Sequence, residues 1–390
     1  MNSTINDLAS KYLPRIKEIR RVIHQNPELG HEEYQTQQLV QNELDKLGIE
    51  NYKLANTGVV GLIHGSKPGK TILLRADMDA LPVTEMTELI FKSSVEGKMH
   101  ACGHDGHTAG LLGAAMILSD IKDSFNGCIK LMFQPAEETD GGALPMIEEG
   151  LLDNPKVDAA IGLHLGGDIE YGKLAFKEGS MMGAPDEFEI EIIGKGGHAA
   201  HPNQTIDPIS IAVQFISNAQ NILTRRIDPI KPAVISFTTI NAGSGLNVIP
   251  ETCKIGGTIR TLHNDIRSEI PILLENTLRS VCDLHGASYN LNYMPSYPPL
   301  INDKYMTDLA VACSKEYFGS SEIIIQEFPT LGAEDFAYLG QYVPATYYYV
   351  GIMKNNTPAI HHHPTFAWND DVLHICSASL VNIALAYLKQ

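Results

Sequence analysis

Ile5, Leu8, Tyr12, Ile16, Ile19 and Ile23 recur at helical spacing, which predicts an amphipathic helix at the start of the chain. Leu39, Val40, Leu44 and Leu47 repeat the pattern, and Gly48 ends it. Apolar runs predict strands at about 58–64 and 71–76. Thr108–Ser119 reads as a small-residue helix, and the apolar stretch Pro155–His164 closes this first block. Strands alternating with helices predict an α/β fold with a mostly parallel sheet.

The pattern changes near Pro185. Glu187–Ile193 alternates polar and apolar, as a half-exposed strand does. A helix is predicted over Pro208–Thr224 and strands over Ala233–Ile240 and Cys253–Thr261. A second helix over Ile266–Leu284 and a strand over Ser288–Met294 complete a β-α-β-β-α-β order, the layout of a small ferredoxin-like α+β domain. Past Pro298-Pro299 the first style returns, with a helix near Tyr305–Phe318, an apolar strand Ala345–Val350 and a helix Val372–Leu388. The predicted organisation is an α/β domain in two parts, 1–184 and 296–390, around an inserted satellite domain at 185–295.

A chain of 390 residues with 44% hydrophobic content can bury a sizeable core, and its length favours two domains. Net charge is −17, from 46 acidic against 29 basic residues, with no basic stripe, so nucleic acid is not an expected partner. The first residues lack a charged-then-apolar signal pattern. The longest apolar run, Ala109–Leu118, is interrupted by Gly110 and Gly113 and is too short to span a bilayer, so no membrane partner is expected. Cysteines at 102, 128, 253, 282, 313 and 376 show no paired spacing, which points to a reducing cytoplasm.

Candidate chemistry gathers after the buried runs. Asp77 and Asp79 follow one, Glu137 and Glu138 another, and His164 a third, while Met99–His107 supplies Cys102 and His104 between the first two. Ligands collect at the carboxyl ends of parallel strands, so this set converges on one sheet edge and suits more than one metal ion. Cys102 and His104, two apart in a glycine-containing turn, can face one ion. Adjacent buried carboxylates such as Glu137 and Glu138 require a cation or a proton between them. Asp77 and Asp79 read as ligands, as partners of a ligand or as a turn, and Arg75 can pair with either. Asp79 is read as the carboxylate that orients a ligating histidine. His361-His362-His363-Pro364 is internal, and His198, Asn247 and Arg260 lie in the inserted domain.

The segments His24–Gly30, Arg75–Pro82, His100–His107, Gln134–Glu138, Gly196–Ala200, Asn247–Pro250, Gly332–Phe336 and His362–Pro364 carry a resemblance. In this order the chain closely resembles the two-metal amidohydrolases and peptidases of the aminoacylase and glutamate-carboxypeptidase family. Its Cys-Gly-His-Asp variant is similar to the branch of hippurate hydrolases, auxin-conjugate hydrolases and N-acetyl-diaminopimelate deacetylases.

The resemblance implies metal ligands Cys102, His104, Glu138, His164 and His362, general base Glu137 and supporting Asp79. It implies that His198 stabilises an oxyanion, often in a partner subunit's site, and that Asn247 and Arg260 lie near the substrate carboxylate. It further implies two divalent ions per subunit, zinc or manganese, and a homodimer joined through the satellite domain. The expected reaction is metal-dependent hydrolysis of N-acyl amino acids, with Glu137 taking the proton of a metal-activated water. Three alternatives stay open from sequence: a carboxypeptidase or dipeptidase on short peptides, a thiol hydrolase with Cys102 as nucleophile and His104 as base, and a non-enzymatic metal-binding protein.

Overall fold

The structure is a computed structural model and describes residues 2–390, with side chains from residue 4 onward. The chain divides into two compact units: residues 1–179, 301–328 and 335–390 form one, and residues 180–300 and 329–334 the other.

The first unit is built on an eight-stranded sheet. At its centre Cys128–Gln134, Thr71–Asp77, Ala159–Glu170 and Ala345–Met353 lie side by side and parallel. Gly58–His64 and Glu50–Leu54 extend one edge antiparallel. Leu174–Phe176 pairs antiparallel with Ala345–Met353, and Ile323–Ile325 runs parallel beyond it. Thr71–Asp77 and Cys128–Gln134 are buried at every position, which is why they read as unbroken apolar runs. The helices Asn2–Gln25, His104–Asp120 and Leu373–Leu388 pack on one another over this sheet. His104–Asp120 is buried from His104 through Leu118, so its all-round small and apolar composition follows from having no solvent face. Asp370–Leu388 is long and apolar enough to cross a membrane by composition, yet 72% of it is buried inside the protein, as a core helix is.

Two of the boundaries that differ from the sequence reading bear on the site. The helix starts at His104, not Thr108. Gly103, at φ 99°, makes the left-handed entry that an L-residue rarely adopts, and His104 is the first helical residue. The strand through His164 does not stop there but runs to Glu170. His164 therefore sits inside a strand, beside Tyr349 of the parallel neighbour.

The second unit holds a four-stranded antiparallel sheet. Ala184–Ile193 is flanked by Thr252–Thr261 and Ser288–Met294, and Ala233–Ala242 pairs outside Thr252–Thr261. Helices Pro208–Arg225 and Asn264–His285 bury Ile211, Phe215, Ile270, Leu274 and Leu278 with Phe188, Ile190 and Ile255 of the sheet. Asp207 caps the first helix by accepting from the Ile209 amide at 2.9 Å. Asp186 accepts from Arg267 (2.9 and 2.8 Å), the Tyr293 hydroxyl (2.7 Å) and the Ser296 amide (2.9 Å), tying strand, helix and exit loop together.

Candidate metal centre

Loops at Cys102, Glu138 and His362, the first turn of the His104 helix and the strand through His164 bring the candidate ligands together in the first unit. Cys102, His104 and His164 offer ligand atoms within 4.8 Å of one another, and so do Cys102, Glu138 and His362. Cys102 belongs to both sets. His104 with Glu137 and Glu138 makes a third such group. The sequence reading named each of these residues, but not the sharing of Cys102.

Each group is oriented by hydrogen bonds that decide which atom faces the centre. The His164 Nδ1–H donates to the Leu165 carbonyl at 2.9 Å, which leaves the Nε2 lone pair toward Cys102 Sγ at 3.3 Å. His104 Nδ1 lies 3.2 Å from Asp79 Oδ1, while the other oxygen of Asp79 accepts from the Glu138 amide at 2.9 Å. One carboxylate thus fixes both the ring of His104 and the backbone of Glu138, which is how a supporting carboxylate tunes a ligating imidazole. His104 Nε2 is buried and has no hydrogen-bond partner. Around it stand Asp77 at 3.6 Å, Glu138 at 3.8 Å and Glu137 at 4.0 Å. An orphaned imidazole nitrogen facing carboxylates and a thiol is the donor set of a divalent cation site.

The triplet at 361–363 separates by geometry. His361 Nε2–H donates to the Leu165 carbonyl at 2.9 Å, and His363 Nδ1 bonds Thr365 Oγ1 at 2.8 Å. His361 also packs its ring against His164, 5.2 Å between centroids, whereas His362, though exposed, is the one that reaches Glu138, with Nε2 3.1 Å from Oε1. It does so from φ 60°, and the Ala101 carbonyl holds its amide at 2.8 Å. A bulky residue in left-handed backbone is uncommon and clusters at functional sites.

The electrostatics follow from burial and mutual charge. Burial opposes charging His104, but Asp77 and then Asp79 outweigh it and hold its pKa at about 10. Burial, with Glu138 and Glu137, pushes the Cys102 thiol well above its ordinary range. Burial holds His164 well below the ordinary histidine range. Burial pushes the Glu138 carboxyl up, but His362 and the charge of His104 bring it below its usual value. An activated thiol nucleophile has the opposite shift from that of Cys102. A cation would replace the protons on His104 and Cys102, as metal binding requires.

His107 takes a part that the sequence reading left unassigned, and Asp77, whose role it left open, is its partner. His107 Nε2 accepts from the Leu165 amide at 3.0 Å, so its Nδ1 carries the proton and donates to Asp77 at 2.6 Å. Both ring nitrogens are engaged, and His107 braces the His164 strand without a free donor atom for a metal. Its spacing of three from His104 on a helix, which puts both rings on one face, was the available signal. Fully buried Arg75 donates to Asp77 (2.8 Å), Gln134 (2.8 Å) and Asp335 (3.0 Å), neutralising the carboxylates beneath the site.

The other sequence candidates lie in the second unit. His198 is exposed, on a two-residue strand paired with Val248–Ile249. Its Nδ1 accepts from the Ala200 amide at 3.0 Å, which leaves Nε2 as the proton-bearing nitrogen. Asn247 is its neighbour, its carbonyl accepting from the Ala199 amide at 3.0 Å. Arg260 sits near the end of Thr252–Thr261, in register with Pro185 and Val234.

The model for peptidase family M20/M25/M40 matches residues 73–386. This chain belongs to that family. Its members are metal-dependent hydrolases of amide and peptide bonds, so the resemblance drawn from the motifs holds. The chain is 42% identical to thermostable carboxypeptidase 1 of Saccharolobus solfataricus, over 95% of each. It is 39% identical to IAA-amino acid hydrolase ILR1-like 2 of Arabidopsis thaliana, over 95% of this chain and 85% of that one. A dinuclear metal-binding M20 peptidase from Bacillus subtilis superposes with a TM-score of 0.85 at 33% identity, covering 97% of this chain and 99% of the other. A metal-dependent hydrolase also displaces the reading of a non-enzymatic metal carrier.

Proposed function

We propose that this chain hydrolyses the amide bond of N-acyl amino acids, releasing a free amino acid and a carboxylic acid. The observation that carries the reading is the pair of donor sets that meet at Cys102. We assign Cys102, His104, Glu138, His164 and His362 as ligands for two divalent cations in each subunit. Zinc suits the thiolate and imidazole donors, and manganese is tolerated by imidazole and carboxylate. When bound, the cations would polarise the amide carbonyl and lower the pKa of the attacking water towards ~7.

The chain's own residues then move the protons. Glu137 takes one proton as the water oxygen adds to the acyl carbon, and returns it to the nitrogen as the carbon–nitrogen bond breaks. Asp79 holds His104 and the Glu138 backbone in place. His198 donates from Nε2 to the developing oxyanion. Asn247 and Arg260 take the carboxylate of the amino-acid part, a planar group suited to a guanidinium. We read residues 185–295 as a ferredoxin-like satellite domain that serves as lid and as the contact of a homodimer. We place the reaction in the cytoplasm, where six free cysteines, the ligand Cys102 among them, stay reduced.

The likeness to the auxin-conjugate hydrolase supports an N-acyl amino acid, and the likeness to the carboxypeptidase supports a second reading on short peptides. A peptide carries the same amide beside the same terminal carboxylate. The test is hydrolysis of N-acetyl, N-benzoyl and N-succinyl amino acids and of dipeptides by chelator-stripped protein, before and after zinc or manganese is restored. The proposal expects activity only with restored metal, and at least one acyl amino acid ahead of every dipeptide by about tenfold in kcat/KM. Dipeptides ahead would establish the second reading. Full activity in stripped protein would overturn both.

A further inference from the structure

We infer that Glu33 is a positioning residue for Glu137, acting through the left-handed turn at Ala136. The inference rests on the proposed role of Glu137 as general base. Glu33 lies 103 positions from Ala136 in sequence, yet its Oε1 accepts from the Ala136 amide at 2.8 Å. Its other oxygen accepts from the Thr57 hydroxyl at 2.6 Å. Glu33, Thr57 and Ala136 are all fully buried.

Ala136 needs such a tether. Its φ is 57°, a conformation that places Cβ too close to the next carbonyl in an L-residue. Ala136 immediately precedes Glu137, so this turn sets the direction in which Glu137 leaves the backbone. On the other side of Glu137, the Glu138 amide is held by Asp79 at 2.9 Å. Glu137 therefore hangs between two amides, each clamped by a buried carboxylate. Glu138 keeps two anchors of its own, Asp79 at the amide and His362 at the carboxylate. On the amino side of Glu137 the Ala136 carbonyl accepts from the Gly141 amide at 3.0 Å, and Glu33 holds the amide of the same residue.

The segment that carries Glu33 is fitted to this task. A Cβ at Gly30 would meet Thr139 Oγ1 at 2.6 Å and Ala136 Cα at 3.1 Å, so only glycine lets the segment come this close to the turn. A few residues earlier the Glu28 carbonyl accepts from the Ala80 amide at 2.8 Å, next to Asp79. His24 Nδ1 bonds Asp105 at 2.9 Å, next to His104. Residues 24–33 thus touch each of three segments that bear the chemistry, and Glu33 is the contact at the loop of the base.

The test compares Glu33→Ala, Glu33→Gln, Thr57→Val and Glu33→Ala/Ala136→Gly, with metal content, thermal midpoint, kcat and KM measured for each. Misplacing a catalytic group by an ångström costs about 10²-fold, so Glu33→Ala should lose about that in kcat while KM stays within about threefold. It should keep both ions. Glu33→Gln should stay near wild type, because its amide oxygen accepts from Ala136 and its NH₂ donates to the Thr57 hydroxyl. Ala136→Gly should recover about tenfold in the Glu33→Ala background, because glycine adopts the turn unaided. Unchanged kcat in Glu33→Ala, loss of metal in step with kcat, or no recovery with Ala136→Gly would each overturn the inference. If Glu33→Ala does not fold, Thr57→Val decides: lowered kcat at constant KM supports the inference, and unchanged kcat overturns it. Glu137→Gln, run alongside, keeps the two claims apart. Activity retained there removes the base, whereas a dead Glu137→Gln beside an unaffected Glu33→Ala removes only the positioning.

Discussion

The metal centre of the first unit and the His198 loop of the second are built in opposite ways. Asp79 and His104 are each 1% exposed, and Asp79 clamps His104 and the Glu138 amide from its two oxygens. His198 is exposed and held by a two-residue ladder and one hydrogen bond to its ring. Buried groups with locked partners keep their geometry before any substrate arrives, which is what metal ligation and proton transfer need. An exposed histidine on a short ladder gains its geometry only when something closes on it, as lids do. On the proposed reading, the first region binds the ions and the second responds to substrate.

That contrast breaks most readily at His198. His198→Ala should lower kcat by about 10²–10³, the usual effect of one oxyanion donor, while metal content and thermal midpoint stay as in wild type. Metal loss in this variant would erase the distinction between the regions. The same variant sharpens the question of subunits. Mixed with Glu137→Gln protein under confirmed subunit exchange, it should regain activity if His198 serves the partner's site, because one site of each heterodimer then holds both residues. No recovery would confine His198 to its own subunit.

A smaller effect is expected at Asp186, which belongs to the framework of the second unit. Burial raises the Asp186 pKa, but the hydrogen bond from Arg267 outweighs it and leaves the group below its ordinary value. A depressed carboxylate stabilises the fold above its unfolded pKa of about 4, and that contribution is lost as pH falls through the lower folded value. Asp186→Asn should therefore destabilise the protein by about 2–3 kcal/mol at neutral pH. The difference from wild type should shrink on acidification below about pH 4. Denaturant midpoints across pH read this directly, and a constant difference would show that shape, not charge, matters there.

The sequence marked the segments that carry the candidate ligands but little of their geometry, for physical reasons. Thr71–Asp77 and Cys128–Gln134 are buried on both faces, so apolar runs marked them and put Asp77, Asp79, Glu137 and Glu138 at one edge. The start of the helix at His104 was invisible to periodicity, because Cys102-Gly103-His104 has no apolar repeat and the left-handed Gly103 is legible only as a coordinate. Glu50–Leu54 and Ile323–Ile325 at the two edges, and Leu174–Phe176 next to the latter, escaped because short strands depend on neighbours for their pairing. The tether from Glu33 to Ala136 spans 103 positions, and no local pattern reports a contact of that reach.

The central claim is that Glu137 moves the proton while its neighbour Glu138 holds metal. Measuring metal content and turnover together in Glu137→Gln tests it most directly. The account predicts two ions per subunit and a rate lowered by about 10²–10⁴, the usual contribution of a general base. Turnover within about tenfold of wild type, with both ions retained, would contradict it.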